Sequence, residues 1–107
     1  MSNSPKRVIG YTIDLESGSH RYRNVEGVGE CRENFVQLVQ VMEQHIADVV
    51  MVYKAEHLFI DTSPMWMEKF IAIAQRHHIV VADATRDREY DLSKPQDEAD
   101  FRALGKK

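Results

Sequence analysis

Residues 48–82 read DVVMVYKAEHLFIDTSPMWMEKFIAIAQRHHIVVA, and this stretch decides the fold. It contains two short apolar runs, Val49–Tyr53 and Ile79–Ala82, which are typical of parallel strands that are buried on both faces of a sheet. Between them, Ser63 and Pro64 have the pattern of a helix start, an N-cap followed by a first-turn proline. Strand, helix and strand in this order predict a βαβ unit with two parallel strands and a right-handed crossover.

Two amphipathic helices are predicted from the spacing of apolar residues. Arg32–Ile46 carries apolar side chains three, four and seven residues apart, which places them on one face of a helix. The helix that starts near Ser63 and ends near His77 carries a similar stripe. The predicted buried residues are Phe35, Leu38, Val39, Met42 and Ile46 in the first helix, and Met67, Phe70, Ile71 and Ala74 in the second.

The remaining segments complete the prediction of a small α/β domain. Arg7–Ile13 alternates loosely between apolar and polar residues and predicts a strand, whereas residues 14–31, with their Gly, Ser and Asn, predict a long flexible surface loop. Asp83–Leu92 is mostly ionisable and predicts a further loop. The predicted architecture is a single three-layer α/β domain over residues 1–107, with a small, mainly parallel sheet of three or four strands.

The C-terminal segment predicts one more short helix. Ser93 is followed three residues later by Gln96, which is the pattern of a capping box. The helix is expected to run from Pro95 to Leu104, with weak amphipathic character.

The composition limits the classes of function. The chain has 107 residues, enough for one domain, and its formal net charge of −3 argues against an autonomous nucleic-acid-binding domain. Its apolar runs are far shorter than the roughly 20 residues that span a bilayer, and no signal segment opens it, so a soluble, cytoplasmic protein is expected. The single cysteine, Cys31, excludes an internal disulfide and a zinc site with several thiolates.

Two polar segments follow the predicted parallel strands, at the sheet edge where ligands gather in open α/β folds. They are Lys54–Ser63 and Asp83–Asp91. The first contains Lys54, Glu56 and His57, whose side chains can bind phosphate or transfer protons. A solvated charged loop has the same composition, so the residues alone leave both interpretations open.

Several motifs between residues 28 and 104 resemble the catalytic domain of the serine recombinases, the group of resolvases, invertases and large serine integrases. Arg32 precedes the first predicted helix, as an arginine does in that family. The buried strand then leads into Lys54–Ile60 (KAEHLFI), where the family has Lys-Leu-Asp-Arg-Leu-x-Arg. After the next strand comes Glu89–Pro95 (EYDLSKP), which is similar to a Tyr-Asp-Leu-Ser-x-Pro segment of the large members. The order and spacing of these motifs are more specific than any one of them.

The resemblance implies a chemistry in which a serine hydroxyl attacks the scissile phosphate of DNA and arginines balance the developing charge, without a metal or other cofactor. The family's Tyr-x-Arg-x-Ser motif, which carries the nucleophile, has no counterpart in either of two fits. In one fit, Ile13-Asp14 and Ser17-Gly18 match the family's second strand and the loop behind it, so the chain starts after the motif. In the other, residues 10–14 are an altered first strand that lacks the serine.

Two motif positions that the family fills with arginine hold His57 and Ile60. Histidine is only partly charged near pH 7 and isoleucine cannot contact phosphate, whereas guanidinium offers a permanently charged fork. Glu56 keeps the acidic type of its position, and Arg32 and Lys54 match family positions and are the predicted contacts to DNA phosphate. The resemblance therefore implies a catalytically impaired domain of mobile-element or phage origin, in which Arg32, Lys54, Glu56 and His57 are weak catalytic candidates.

Two other functions stay open on the sequence. One is a non-enzymatic module that joins active recombinases and modulates their assembly, and the other is a phosphoryl-transfer enzyme with a rearranged site. Self-association or contact with other recombinase subunits is expected, through Trp66, Met67 and the helix at 95–104, and a dimer is expected to cover an exposed sheet edge. Binding of DNA by the chain alone is expected to be weak, and no membrane partner is expected.

Other reactive residues have structural explanations. His77 and His78 point about 100° apart on a helix, so no metal site is expected from them. Ser17 and Ser19 have no identifiable base and are expected to be loop residues. A broad buried helix face explains Trp66 as well as an exposed contact surface does.

Overall fold

The computed structural model describes residues 7–11, 22–25, 29–60 and 62–105. Within these ranges it contains a four-stranded sheet, a two-stranded sheet, three α-helices and one 3₁₀ turn. The elements in chain order are β1 (Val8–Tyr11), β2 (Tyr22–Val25), β3 (Gly29–Arg32), α1 (Glu33–Glu43), β4 (Val49–Val52), the 3₁₀ turn (Ala55–Phe59), α2 (Pro64–His77), β5 (Val80–Asp83), β6 (Arg88–Asp91) and α3 (Pro95–Ala103).

The four-stranded sheet has the order β1-β4-β5-β6 and is mainly parallel. β1, β4 and β5 run in the same direction, and β6 pairs antiparallel with β5. The predicted βαβ unit is confirmed as β4–α2–β5, in which Val50 pairs with Val81 and both side chains are fully buried. The α/β class and the small, mainly parallel sheet are thus confirmed.

Helix α2 begins and ends where the sequence predicts. Ser63 Oγ accepts a hydrogen bond from Trp66 N–H at 3.3 Å, and Pro64 lies in the first turn. At the other end His78 adopts a left-handed backbone conformation, with φ 54°, which stops the helix. The whole predicted stripe is buried: Met67, Phe70, Ile71 and Ala74.

Helix α1 begins at Glu33, directly after Arg32, but it is shorter than predicted. Its predicted residues Phe35, Leu38, Val39 and Met42 are buried. The helix ends at Glu43, and His45 turns the chain away with φ 54°. Ile46 is consequently 48% exposed, so its prediction as part of the buried stripe was wrong.

The three helices pack on one face of the sheet. The ring of Phe35 in α1 lies 5.5 Å from Phe70 in α2, and Phe70 lies 6.0 Å from Phe101 in α3. The connectivity explains this arrangement, because β1, β4 and β5 follow one another in one direction and right-handed crossovers then place α1 and α2 on the same side. The helices therefore lie on one side of the four-stranded sheet, and the two-stranded sheet β2–β3 packs against α1 and α2.

The opposite face of the sheet is partly exposed. Val8 and Met51 point to this face and are 53% and 45% exposed. Gly10 pairs with Met51 on the same face, and a Cβ added to Gly10 meets no atom within 4 Å. The prediction that the strand at Val49–Tyr53 is covered on both faces is therefore wrong at Met51.

The segment Asp83–Leu92 forms a hairpin rather than the predicted loop. Arg88–Asp91 is strand β6, which pairs antiparallel with β5 through a turn in which Asp87 has φ 51°. Tyr90 is buried, and the guanidinium carbon of Arg88 lies 4.4 Å from the centre of its ring. The sequence does not indicate this strand, because four ionisable residues precede Tyr90 and only one residue of the strand enters the core.

The segment 14–31, predicted as a flexible loop, contains strands β2 and β3, which pair antiparallel in register from Tyr22–Arg32 to Val25–Gly29. Gly29 has φ 89°, and Trp66 Nε1–H donates to its carbonyl at 3.0 Å, which anchors β3 to the start of α2. Residues 14–21 and 26–28 lie outside the described residues. The predicted strand at Arg7–Ile13 is confirmed for Val8–Tyr11, and its last two residues also lie outside them.

Helix α3 is confirmed, but not its capping box. Ser93 Oγ donates to Asp91 Oδ1 at 2.5 Å, within the turn that follows β6. Lys94 occupies the cap position without a side-chain hydrogen bond, so Pro95 sets the start of the helix. Phe101 is buried and holds the helix against the core.

The longest helix among the described residues is α2, with 14 residues. In this part of the chain no helix has the length and apolar character that crossing a bilayer requires.

Candidate functional site

The parallel strands β1, β4 and β5 end at one edge of the sheet, and the polar residues singled out in the sequence lie there. Lys54 follows β4, and Glu56 and His57 belong to the 3₁₀ turn behind it. Arg32 is the last residue of β3 and immediately precedes α1, while its side chain lies outside the described part of the structure. Of the four predicted residues, the side chains of three are therefore described, and they share one short segment.

Arg86 organises this edge. Its Nη1 donates to Glu56 Oε1 and to Asp83 Oδ2, each at 2.6 Å. The two hydrogen bonds raise the pKa of Arg86 above its ordinary value. The bond from Arg86 is also the main cause that lowers the pKa of Glu56, with a smaller contribution from the charge of Lys54. Glu56 is thus an ionised partner of Arg86 at neutral pH, which leaves it little capacity as a general acid or base.

Asp83 ties the two loops of the edge together. Its side chain is buried, yet it accepts from Ala55 N–H at 2.9 Å, Arg86 N–H at 3.0 Å and Thr85 Oγ1 at 2.9 Å, in addition to Arg86 Nη1. Burial raises the pKa of this carboxyl, but the hydrogen bonds outweigh it and lower the pKa to about 2. Asp83 is therefore a structural anchor between the 3₁₀ turn and the β5–β6 turn.

Tyr53, Lys54 and His57 lie close together at this edge. Tyr53 is 62% exposed, Lys54 Nζ lies 6.0 Å from the centre of its ring, and the rings of Tyr53 and His57 are 6.3 Å apart. The cations Lys54 and Arg86 are matched by the carboxylates Glu56 and Asp83. Such a balanced charge attracts a polyanion such as DNA only weakly.

A cavity of about 410 Å³ opens beside the β5–β6 turn. Its lining includes Met51, the carboxylates Asp83, Asp87 and Glu89, and Arg88. Lys54, Glu56 and His57 do not line it. An acidic cavity that excludes the predicted phosphate contacts is a poor fit for a phosphate group.

Two residues that the sequence left open as contact residues belong to the core. Trp66 and Met67 are both buried in α2, so their prediction as a self-association surface is wrong and the broad buried face is the correct explanation. His77 stacks on His45 with ring centres 4.8 Å apart. Within residues 7–11, 22–25, 29–60 and 62–105, no three His, Cys, Asp or Glu side chains converge on a metal position.

Hydroxyl groups at the described part of the edge have structural roles. Thr62 Oγ1 donates to the Leu58 carbonyl at 2.7 Å, and Ser63 Oγ caps α2. Ser17 and Ser19 lie outside the described residues, as does Asp14.

Sequence reasoning missed Arg86 and Asp83, the two residues that organise the edge. Asp83 ends the apolar run Ile79–Ala82 and is followed by Thr85, a pattern typical of an Asx-stabilised turn after a strand, which was the available signal. The pairing of Arg86 with Glu56 carries no local signal, because the two residues lie 30 positions apart.

The described part of the chain is an α/β domain in which a charge-balanced network joins the segments that follow β4 and β5. No protein-family model, curated protein or solved structure matches the chain.

Proposed function

We propose that this chain is a serine-recombinase-like domain related to DNA recombination that does not itself cleave DNA. It keeps a scaffold similar to the catalytic domain of that family, together with Arg32 and Lys54 as contacts to DNA phosphate. In this role the chain is a catalytically inactive relative, which associates with copies of itself or with other recombinase subunits.

The placement of the motifs supports the relationship. Helix α1 starts at the residue after Arg32, and β4 ends two residues before Lys54. Helix α2 and strand β5 follow, and the Tyr90–Ser93 segment then occupies the end of β6 and the next turn. This is the order of helix, strand, motif, helix and strand that the resemblance requires.

The main support for the loss of cleavage comes from the positively charged side chains in the segment that follows β4. His57 and Ile60 stand where the motif has arginines, and the guanidinium of Arg86 at this edge is bound by Glu56 and Asp83. A donor that stabilises the charge of a transition state contributes about 2.7–4 kcal/mol, or two to three decades of rate. The loss of two such donors makes cleavage by the family route too slow to detect.

The hydroxyl groups support the same conclusion within the described residues. Ser63 Oγ accepts from the backbone of α2, and Ser93 Oγ donates to Asp91. Each serves local structure, whereas a nucleophile needs an adjacent base that takes its proton.

The test is incubation of the purified chain with supercoiled plasmid DNA, followed by a denaturing gel, with an active serine recombinase in parallel. We expect no nicking and no covalent protein–DNA adduct from this chain. Covalent adduct or nicked plasmid that depends on the chain contradicts the loss of cleavage, and also supports the rearranged phosphoryl-transfer site.

The relationship to recombination needs its own measurement. We expect the chain to co-purify with an active serine recombinase and to reduce its recombination yield in a dose-dependent way. A recombinase whose yield and oligomeric state are both unchanged by excess chain contradicts this role.

A second candidate function is a non-enzymatic module that modulates the assembly of active recombinases. The observation that favours it is the outer edge of β1, which pairs with no other strand among the described residues. Such an edge can add a strand from another subunit. In that case the chain reduces recombination while DNA binding by the active enzyme stays unchanged, which separates this role from competition for DNA.

A further inference from the structure

The outward groups of edge strand β1 follow from its pairing with β4. Val49 N–H donates to the Arg7 carbonyl at 3.0 Å, so the parallel ladder uses the backbone groups of Arg7 and, two residues on, of Ile9. The N–H and C=O groups of Val8 and Gly10 therefore point away from the sheet. Among the described residues no strand pairs with this side of β1.

A groove runs along the same edge, on the face that carries the helices. Its volume is about 390 Å³, and it lies between β1 and α1. Ile9 and Tyr11 line it from the strand, and Leu38 and Val41 line it from the helix. A strand added to β1 would direct alternate side chains into this groove, where apolar side chains fit best.

On the other face of the edge, one residue of β1 projects and another leaves open space. Val8 projects from it with 53% of its surface exposed, whereas Gly10 leaves open space in which an added Cβ meets no atom within 4 Å. These two residues lie one on each side of Ile9. An antiparallel copy of the same strand, centred on Ile9, would therefore place each Val8 opposite a Gly10.

We propose that β1 pairs antiparallel with β1 of a second copy of this chain, about a twofold axis at Ile9. Each Val8 then exchanges two N–H···O bonds with Gly10 of the second copy, because the outward backbone groups of both residues face each other in this register. The two four-stranded sheets join into one continuous sheet of eight strands.

The same register satisfies the side chains on both faces. Val8 of one copy fills the open space beside Gly10 of the other, and the two Ile9 side chains meet in the grooves beneath the α1 helices. Arg7, the charged residue beside the edge, is paired with Asp48 at 3.1 Å, so pairing brings no uncompensated charge of Arg7 to the interface. A second copy fits better than an unrelated peptide, because β1 itself supplies the small residue opposite its own projecting valine.

Sedimentation equilibrium of the full chain tests the pairing. We expect a concentration-dependent dimer, and a dissociation constant raised at least about tenfold by either of two edge variants. Gly10→Pro removes an outward N–H and leaves the inward bonds to β4, while Val8→Lys brings two cations close together across the axis. The matched control is Met65→Lys, which changes an exposed apolar residue of α2 in the same way and should leave the constant unchanged.

A disulfide trap reports the register directly. Residues opposite each other in a non-hydrogen-bonded antiparallel pair have Cα atoms about 4.5 Å apart, a distance that a disulfide can span, so Ile9→Cys should form an intermolecular disulfide on mild oxidation. Gln40→Cys, on the exposed surface of α1, is the control and should not. A monomer at all concentrations, or a dimer that both edge variants leave unweakened and Ile9→Cys does not trap, overturns the proposal. These measurements use no DNA and no recombinase, so their outcome is independent of the proposed function.

Discussion

Arg86 and Glu56 lie 30 residues apart in the chain, and Arg86 Nη1 donates to Glu56 Oε1 at 2.6 Å. The same nitrogen donates to the buried carboxylate of Asp83. One guanidinium thus joins the turn after β4 to the turn after β5. The contact fixes the shape of the edge and at the same time occupies the cation that a phosphate would need.

This network predicts unequal costs for its two carboxylates. Asp83→Ala removes the acceptor of Ala55 N–H and Thr85 Oγ1 as well as of Arg86, and we expect it to lower the free energy of unfolding by about 2–4 kcal/mol. Glu56→Gln removes a half-exposed ion pair and should cost less than about 1 kcal/mol. Urea denaturation of both variants measures the difference. Equal costs would show that Asp83 is no anchor.

The stability of the protein should depend on pH through Asp83. Its pKa in the folded chain, about 2, lies below the ordinary value of 3.8, so the folded state binds the proton less tightly than the unfolded state. The stabilisation is complete above about pH 4 and is lost as the pH falls toward 2. We expect this residue to contribute about 2 kcal/mol over that range.

Urea midpoints between pH 2 and pH 5 test this dependence in the wild type and in Asp83→Asn. The Asp83→Asn variant should lose part of the dependence of the urea midpoint on pH. Asp48→Asn is measured beside it for comparison. The hydrogen bond from Arg7 lowers the pKa of Asp48 to about 2 as well, but this pair is exposed, so added salt should weaken its contribution. A wild type and Asp83→Asn with the same slope would contradict the prediction.

The elements that the sequence predicts correctly are those whose burial is visible in consecutive residues. The strands Val49–Val52 and Val80–Asp83 consist largely of consecutive apolar residues. Helix α2 has both an N-cap residue and a stripe of apolar side chains. Strand β6 was missed because Tyr90 is its one fully buried side chain, and Arg88 covers that ring with a charged group. A strand with one apolar anchor looks like a charged loop.

The placement of the helices and the network at the edge depend on relations across the chain. The side of the sheet on which α1 and α2 lie follows from the direction in which β1, β4 and β5 succeed one another, and no local pattern encodes the position of β1 in the sheet. The candidate Glu56 was found from its position after a buried strand, but its partner Arg86 comes from another turn. Local patterns therefore predict which residues reach the edge, and not which of them neutralise each other.

The contact between β3 and α2 should make Gly29 sensitive to substitution. Gly29 has φ 89°, and a Cβ at this position would lie 2.9 Å from Ser63 Oγ. Gly29→Ala therefore adds backbone strain and a steric clash at the cap of α2, and we expect a loss of about 1–3 kcal/mol in the free energy of unfolding. Gln40→Ala, on the exposed surface of α1, is the control and should change stability by less than about 0.5 kcal/mol. Thermal or urea unfolding that gives the two variants equal stability would contradict this account.

Arginines placed at two positions of the motif should raise the affinity of the chain for DNA. His57→Arg with Ile60→Arg adds two permanently charged forks after β4, at positions that the resemblance assigns to phosphate contacts. We expect tighter binding to duplex DNA, with a steeper dependence on salt: the slope of log K against log salt concentration should change by about two units, close to 0.9 for each added contact. Because Ile60 is half-buried, His57→Arg alone is measured as well, with an expected change of about one unit.

The control for this experiment must carry the same charge elsewhere on the surface. Ala72→Arg with Gln40→Arg adds two exposed cations in the C-terminal halves of α2 and α1, away from the sheet edge that carries the motif, and should change the slope far less. If the two double variants bind DNA equally well, the gain is a general effect of net charge and the motif positions are not phosphate contacts. If only the motif variant gains affinity, the segment after β4 faces the bound DNA.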